Sequence, residues 1–170
     1  MFFSDFDNKR ISKITTSTGI ITTVVGTAET KFSRENILGT STSTSSVYGL
    51  ACDSGGNLFY SNFGNYRIRK LTRSAGIVNT VAGTGIYPGS ETTYKNVEAL
   101  KTNVNPTCLI IDASGNLYFT RGSGTGFFKL TMTTGIITTV ETNALVFTLH
   151  HRWVRQHLFR LLLYQSRTSL

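Results

Sequence analysis

The chain has 170 residues, of which 39% are apolar, 16 are Gly and 2 are Cys, a composition typical of one globular domain and not of a disordered chain or a disulfide scaffold. The longest apolar stretch near either end is interrupted by Arg160 and falls short of the roughly 20 residues that a membrane-spanning helix needs. The acidic residues Asp5 and Asp7 do not fit a signal peptide, and no Asn-x-Ser/Thr sequon occurs, so the localisation stays open.

The formal net charge of +8 is divided unevenly along the chain. Residues 1–141 hold 13 basic and 9 acidic side chains, a balance of +4. Residues 142–170 hold four Arg and no acid, which accounts for the other +4. Half of the charge therefore belongs to a tail, and the sum alone does not predict a nucleic-acid partner.

Three copies of one pattern follow each other along the chain, which indicates a repeat architecture. The first begins at Phe3 with FSDFDNKRISKITTSTGIITTVVG, the second at Tyr60 with YSNFGNYRIRKLTRSAGIVNTVAG, and a more divergent third at Phe119. A second block precedes the later copies, as LACDSGGNLFYS from Leu50 and LIIDASGNLYFT from Leu109. The copies align without gaps, at spacings of 57 and 59, on Gly19, Gly76 and Gly135.

Within one unit the pattern predicts four short strands separated by turns. They are Val47–Cys52, Asn57–Ser61, Tyr66–Thr72 and Gly76–Ala82, with a tight hairpin at Gly64 and Asn65. The first and last strands are apolar on both faces, so both faces need cover from neighbouring sheets. Four antiparallel strands per unit, stacked in this way, are typical of the blades of a β-propeller.

The same residues resemble the NHL repeat family. The resemblance is carried by the turn and strand at Asp53–Leu58, by NYRIRK at Asn65–Lys70, and by the closing strand GIVNTVAG at Gly76–Gly83. It covers about residues 1–141. It implies a propeller that serves as a binding platform. It also implies an incomplete ring here, because about two and a half blades cannot close the ring of six that is usual in the family.

The predicted fold class is all-β: a partial, open β-propeller built of four-stranded antiparallel blades, with a non-homologous basic C-terminal tail. The predicted parts are the C-terminal part of a blade (1–26), a Ser/Thr-rich loop (27–46), a complete four-stranded blade (47–83), a long loop (84–105), a second complete but degenerate blade (106–141) and the tail (142–170). We expect a fragment of a longer array, with further blades supplied by a longer chain or by other copies. An unfinished array with ragged ends is the alternative.

The tail at 142–170 matches no other part of the chain. One hypothesis is translation out of frame. The codons for HHRWVRQHLF, from His150 to Phe159, can be chosen so that they read IIDGSGNIYF one base later, close to IIDASGNLYF at Ile110–Phe119. The alternative is a basic amphipathic helix at His150–Tyr164 that docks on a membrane or a partner.

Catalytic, cofactor and metal sites are not predicted, and we expect no enzyme. Hydrolytic triads and zinc centres need His or closely spaced Cys, and residues 1–149 contain no His. The Gly-rich stretch Gly122–Gly126 lacks the Lys and the helix of a phosphate loop and aligns with a hairpin turn. Cys52 and Cys108 occupy different strand positions, which predicts two buried, reduced thiols.

A recurring turn and strand motif is interpreted as structural, because its polar side chains can satisfy turn amides. We expect Arg10 and Arg67 to pair with a carboxylate of the neighbouring blade, with Asp53 and Asp112 as the acceptors. The residues of the motif are Asp5, Asn8, Arg10, Asp53, Asn57, Asn62, Asn65, Arg67, Asp112 and Asn116.

A candidate binding surface is the basic cluster of Arg67, Arg69, Lys70 and Arg73. Strand alternation places Arg67 and Arg69 on one face and Lys70 on the other. The cluster favours RNA as an alternative partner, since cations contact phosphates. The main expectation is a non-catalytic interaction module for a protein or glycan. No DNA partner and no membrane span are expected, and a non-functional gene fragment is the remaining alternative.

Overall fold

The structure, a computed structural model, describes residues 1–89, 93–122 and 126–140. Residues Met1–Thr139 belong to one compact unit. The two interpretations of the tail at 142–170, as an out-of-frame segment or as an amphipathic helix, lie outside the described residues. The centre of the Gly-rich stretch, 123–125, lies outside them as well.

The described residues form three antiparallel sheets, called blades 1 to 3, that follow one another along the chain. Blade 1 contains β1 (Phe2–Asp5), β2 (Arg10–Ile14) and β3 (Ile21–Val25). Blade 2 contains β4 (Ile37–Leu38), β5 (Val47–Cys52), β6 (Leu58–Asn62), β7 (Arg67–Thr72) and β8 (Ile77–Ala82). Blade 3 contains β9 (Val97–Glu98), β10 (Pro106–Ile111), β11 (Leu117–Arg121), β12 (Phe127–Thr131) and β13 (Ile136–Thr139).

The four strands predicted between residues 47 and 83 are confirmed, and each predicted bound lies within one residue of the observed one. The connection between β6 and β7 differs from the expected tight hairpin at Gly64 and Asn65. It is a 3-10 turn at Phe63–Asn65, followed by Tyr66 at φ 50° and ψ 48°. Tyr66 thus takes the left-handed conformation that reverses the chain.

Each of the two later blades has a fifth, two-residue strand that comes from the long connection before it. β4 pairs with β8, and β9 pairs with β13, both antiparallel. A 3-10 turn follows each short strand, at Gly39–Ser41 and at Ala99–Lys101. The segments interpreted as loops therefore also cover the outer edge of the blade that follows them.

One residue in each long connection bonds to two successive blades. The amide of Gly39 donates to the carbonyl of Gly76 in blade 2 at 2.9 Å, and the Gly39 carbonyl accepts from the amide of Gly26 at the end of blade 1 at 3.0 Å. The equivalent residue in the next repeat, Ala99, makes the same two bonds at 2.8 and 2.9 Å, to Gly135 and Gly83.

The three glycines on which the repeats align occupy matching positions. Their φ angles are 70°, 66° and 68° for Gly19, Gly76 and Gly135. The amide of each donates to the carbonyl four residues earlier, at 2.8 Å in all three copies. Glycine adopts this left-handed conformation without steric cost, so the repeated sequence produces a repeated turn.

Apolar cores lie between successive blades, as expected for strands that are apolar on both faces. The core between blades 1 and 2 contains Ile11, Val25, Val47, Leu58, Tyr60, Leu71 and Val78. The core between blades 2 and 3 includes Phe59, Ile68, Ala82, Leu117, Phe119, Phe128, Leu130 and Ile137. Blades that stack face to face in this way form a partial, open β-propeller, so the predicted all-β class is confirmed.

Both cysteines are free, but the expectation of two buried thiols is wrong. Cys52 is exposed, because it is the last residue of β5 before a turn, and Cys108 is half-buried. Partial burial and the neighbouring Asp53 carboxylate raise the pKa of the Cys52 thiol. In the part of the chain that the structure describes, no helix has the length and apolar character to cross a membrane.

Candidate functional site

The strands β1, β6 and β11, which correspond to one another in the repeat, end at equivalent positions, here called the loop end of the blades. The last residues of β1, β6 and β11 are Asp5, Asn62 and Arg121. Across the sheet, Asn62 pairs with Val47 and Arg121 with Pro106, the first residues of β5 and β10. The long connections that lead into β5 and β10 arrive at this end, so it collects side chains from several blades.

An aromatic row, defined as Phe6, Tyr48 and Phe63, crosses from blade 1 to blade 2 at the loop end. The ring centroids of Phe6 and Tyr48 are 5.3 Å apart, and those of Tyr48 and Phe63 are 5.0 Å apart at 88°. Phe6 is 38% exposed and Tyr48 is 49% exposed. The Lys9 ammonium lies 5.3 Å from the Phe6 centroid. Rings at these separations attract each other, so the row is held in shape by its own contacts.

Hydrogen bonds fix the backbone that carries the row. The Oδ1 of Asn62, the residue before Phe63, accepts from the amide of Ser45 at 2.8 Å. The hydroxyl of Ser61 accepts from the amide of Tyr48 at 3.1 Å. Both bonds join β6 to the chain entering or forming β5, so two of the three rings stand on one rigid support.

In blade 3 the equivalent strand ends in a buried cation, Arg121, where β1 ends in Asp5 and β6 in Asn62, and the next residue is a glycine in place of a ring. Arg121 is 3% exposed and donates from Nη2 to the carbonyl of Gly89. Its Nε and Nη1 have no hydrogen-bond partner among the described residues. Gly122, the counterpart of Phe63, lies against the Phe63 ring and the side-chain amide of Asn105. The row therefore ends at the backbone of Gly122.

The aspartates of the turn motif are held by asparagines in both later blades. Asn57 donates to Asp53 from its amide and its side chain, both at 2.8 Å. Asn116 donates to Asp112 in the same way, at 2.8 and 3.0 Å. Burial alone raises the pKa of both carboxyls, but the asparagine hydrogen bonds, together with weaker neighbouring interactions, hold each pKa below its ordinary value. In blade 1 the side chain of Asn8 donates to both carboxylate oxygens of Asp5, each at 3.0 Å.

The expected pairing of Arg67 with Asp53 or Asp112 is wrong. Arg67 donates to the carbonyls of Asn65 at 3.0 Å and Thr84 at 2.7 Å. It begins β7 at the loop end, whereas Asp53 and Asp112 follow the last residues of β5 and β10, at the opposite end of the strands. The length of a blade therefore separates the guanidinium from both carboxylates.

The basic cluster is not one exposed surface, which corrects the predicted binding surface. Arg69 is completely buried and lies 3.3 Å from the Glu35 carboxylate. Lys70 is half-buried, and Arg73 is exposed. Arg10, also predicted to pair, is exposed, and the ion pairs among the described residues are those of Arg69 with Glu35 and of Lys101 with Glu98.

Within residues 1–89, 93–122 and 126–140, no group of three or more His, Cys, Asp and Glu side chains is placed to hold a metal ion. The two acids with lowered pKa values, Asp53 and Asp112, already accept hydrogen bonds from the asparagines of their turns. Burial raises the pKa of the Tyr60 phenol, which lies in the core between blades 1 and 2.

Sequence reasoning missed the aromatic row. Phe6 and Phe63 are 57 residues apart, the spacing of the first two repeats, and this coincidence is the signal that would have found them. Tyr48 joins them only because blade 1 stacks on blade 2. No local pattern in the sequence shows that contact.

No family model matches the chain, and no curated protein matches it. Several solved structures are similar to it. One is a protein of unknown function from Bacteroides thetaiotaomicron, which matches with a TM-score of 0.63 and 22% identity over 82% of this chain and 32% of that chain. A gluconolactonase from Xanthomonas campestris matches with a TM-score of 0.53 and 14% identity over 82% of this chain and 42% of that chain. A streptogramin B lyase matches with a TM-score of 0.50 and 15% identity over 85% of this chain and 37% of that chain.

These similarities agree with the open β-propeller that the stacked blades define. At such identities they show the fold alone. The chain spans between 32% and 42% of the length of these three structures. The lyase and lactonase activities belong to those proteins, and propellers of this kind serve as scaffolds for different functions.

Proposed function

We propose that this chain is a non-catalytic, NHL-type propeller segment that serves as a protein-interaction module, with the aromatic row as its contact surface. The observation that supports this is the row itself: Phe6 is 38% and Tyr48 is 49% exposed, and hydrogen bonds fix the backbone that carries Tyr48 and Phe63. Aromatic side chains provide large contact areas at a small cost in conformational entropy.

The rings of the row need little reorganisation to bind. Phe6, Tyr48 and Phe63 already pack against one another, so a partner does not have to order them. Polar groups lie alongside, with Lys9 over the Phe6 ring and the Gly122 backbone at the far end. An extended peptide with apolar side chains fits such a row, and a sugar with an apolar face is the alternative ligand.

The non-catalytic and NHL parts of the proposal rest on the sequence. Residues 1–149 contain no His, which most hydrolytic and zinc-dependent sites use. The NHL assignment rests on the recurrence of the Asp-to-Asn turn, at Asp53–Asn57 and Asp112–Asn116, and of the closing strand. The basic cluster gives little support to RNA as a partner, since one of its members, Arg69, is buried against Glu35 and does not face solvent.

The proposal is tested by selecting ligands from a random-peptide display library and from a glycan array. Changing both Phe6 and Tyr48 to Ala is expected to weaken the selected peptide by at least about tenfold, since few residues dominate such contacts. Tyr87→Ala is the matched control, because Tyr87 is 54% exposed and lies outside the row. Calorimetry gives the dissociation constants.

Three outcomes would contradict the proposal. Peptides that bind the double variant as well as the unchanged chain would place the site elsewhere. Selection of glycans alone would replace the protein partner by a carbohydrate. Salt-sensitive retention on a polynucleotide, unchanged in the double variant, would favour RNA.

A further inference from the structure

Arg121 lies between blades 2 and 3, beside the far end of the aromatic row. Leu117 and Phe119, earlier in the same strand, pack in the core between these two blades. Alternation along the strand places the Arg121 side chain on the same face. The guanidinium is therefore enclosed by two described blades and by the connection at 84–105, in which the Gly89 carbonyl accepts from its Nη2.

The positive charge of Arg121 lacks the partner that a buried charge needs. The residue is 3% exposed, and its Nε and Nη1 have no hydrogen-bond partner among the described residues. Arginine stays protonated at physiological pH, and a buried charge is costly unless an opposite charge pairs with it. The contact with the Gly89 carbonyl supplies no negative charge. Two N–H donors and one positive charge are therefore left for a ligand to satisfy.

The other buried arginine of the described residues, Arg69, shows the compensation that Arg121 lacks. Its Nε is also without a partner, but the Glu35 carboxylate lies 3.3 Å from its Nη2 and neutralises the charge. The remaining ion pair in the described part of the chain joins Lys101 to Glu98. No described carboxylate therefore pairs with Arg121.

The surroundings of Arg121 fit the carboxylate of a peptide. The carbonyl of Asn105 accepts from the Gly122 amide at 3.0 Å, and its side-chain Oδ1 is buried with no donor. An amide oxygen of this kind can accept from a backbone N–H. Gly122 lies against the Phe63 ring and is half-buried, and Gly89 is exposed, so no side chain of either residue separates the guanidinium from solvent.

We propose that the peptide on the aromatic row carries a carboxylate that pairs with Arg121; this rests on the proposed function, which supplies the peptide. Apolar side chains of the peptide lie on the rings, and the carboxylate follows at the Gly122 end of the row. The carboxylate takes the place of the Gly89 carbonyl, because guanidinium and carboxylate form a strong, charge-assisted hydrogen bond. An Asp or Glu side chain and a C-terminal carboxyl group both provide this chemistry.

Peptides selected from the random-peptide display library are compared with neutral copies of themselves. In one copy Asp and Glu become Asn and Gln, and in another the C-terminal carboxyl group is amidated. The full, unchanged chain is expected to bind one of the two copies at least about tenfold more weakly, because a hydrogen bond between charged groups is lost. The affected copy identifies the source of the carboxylate. Neutral copies that both bind as tightly as the parent peptide would overturn the proposal.

Variants of the chain assign the effect to Arg121. In Arg121→Gln the parent peptide and its neutral copy are expected to bind equally, since the charge that distinguishes them is gone. Arg73→Gln is the matched control and is expected to keep the preference for the acid, because Arg73 is exposed and follows β7 at the end opposite the loop end. The double change of Phe6 and Tyr48 to Ala should weaken both peptides alike, which separates a failure of the row from a failure of the carboxylate site. A preference for the acid that survives in Arg121→Gln would contradict the proposal.

Sodium acetate tests the carboxylate site without a peptide and without an Arg121 variant. At constant ionic strength, the Arg121 Nε–H signal in a proton–nitrogen NMR spectrum is expected to shift with acetate and not with acetamide. If the library yields no peptide, this shift still supports the carboxylate site, and the failure belongs to the proposed function. A signal that ignores acetate would overturn the site. Glu91, two residues after Gly89, lies outside the described residues. If Glu91→Gln shifts the signal and acetate shifts it back, the chain supplies the carboxylate itself, and the proposal is wrong.

Discussion

The two long connections are attached to their blades by different chemistry at equivalent positions. In the connection at 27–46 the attachment is ionic. Arg69 of β7 donates to the Ser33 hydroxyl at 3.3 Å, to the Arg34 carbonyl at 3.1 Å and to the Glu35 carboxylate at 3.3 Å. Glu35 in turn accepts from the amide and the hydroxyl of Thr80, both at 2.6 Å.

In the connection at 84–105 the attachment is aromatic. Phe128 stands where Arg69 stands in the previous repeat, and Tyr94 stands where Arg34 stands. Their ring centroids are 4.8 Å apart, and the Tyr94 hydroxyl donates to the Asn103 carbonyl at 2.6 Å. Thr139, the counterpart of Thr80, accepts from the Tyr94 amide at 2.7 Å and donates to the Tyr94 carbonyl at 2.8 Å.

The comparison shows which part of the repeat is structural and which part is free to vary. A threonine in the last strand, β8 or β13, and a large side chain in the strand before it, β7 or β12, hold the connection in both cases. The contact depends on charge in blade 2, where the large side chain is Arg69, and on apolar burial in blade 3, where it is Phe128. The backbone frame is the same, because β4 and β9 pair with the last strands in the same way.

The largest effect is expected for Phe128→Ala, which breaks the aromatic attachment. Phe128 is completely buried and contacts both Tyr94 and Phe119. Its truncation is expected to lower the free energy of unfolding by about 3–5 kcal/mol, from lost burial and the cavity left behind. Urea unfolding measures the change. A loss no larger than that of Ile86→Ala, at a residue 63% exposed, would show that the attachment contributes nothing.

A smaller effect is expected for Arg69→Met, which removes the ionic attachment while keeping most of the side-chain volume. The expected loss is about 2 kcal/mol, below that of a fully buried pair, because Glu35 is 46% exposed and is hydrated once its partner is gone. Added salt should narrow the difference between this variant and the unchanged chain only slightly, because a pair with a buried partner is screened weakly, and should leave the effect of Phe128→Ala as it is.

The control for Arg69→Met is Arg73→Met, since Arg73 is exposed on the same hairpin. It is expected to stay within about 0.5 kcal/mol of the unchanged chain. Equal losses at the two positions would mean that net charge, and not the attachment of the connection, determines the stability.

The smallest effect concerns a feature that the two blades share. Burial alone raises the pKa of Asp53 and Asp112, but the asparagine hydrogen bonds lower each pKa below the ordinary 3.8. A lowered pKa contributes stability that is present above 3.8 and is lost as the pH falls through the lower folded-state pKa. Asp53→Asn and Asp112→Asn should each remove part of this acid sensitivity, by similar amounts, in thermal melts below about pH 4. A response in one blade alone would show that the turns are not equivalent.

The repeat made most of the fold predictable. The local signals are the alternation of apolar and polar residues, the turn residues, and the aligned glycines Gly19, Gly76 and Gly135. They predict the bounds of the four long strands of blade 2 to within one residue. The strands β4 and β9 were missed because two residues carry no periodicity. The 3-10 turn before Tyr66 was missed because a left-handed Tyr has no sequence signature as clear as that of Gly.

The candidate site was less predictable, because it depends on contacts between blades. Arg69 is buried by Glu35, which lies 34 residues earlier in the chain, and nothing in the strand pattern identifies that partner. The expected pairing of Arg10 and Arg67 with Asp53 and Asp112 of a neighbouring blade rests on charge, but the structure sets Arg67 at one end of the strands and both carboxylates at the other. Tyr48 reaches Phe6 only once blades 1 and 2 stack. Short-range patterns specify the sheets, and the arrangement of the sheets specifies the site.

The backbone hydrogen bonds of Gly39 and Ala99 affect the order in which the blades fold during synthesis. During synthesis β4 leaves the ribosome before β5, yet its partner β8 emerges last in that sheet. During synthesis, β4 therefore stays unpaired until the last strand of its sheet, β8, has been made. Gly39 also hydrogen-bonds to Gly26 of blade 1, so completing blade 2 stabilises the end of blade 1 as well. We therefore expect neighbouring blades to unfold together, and not one at a time, when the chain is pulled from its ends.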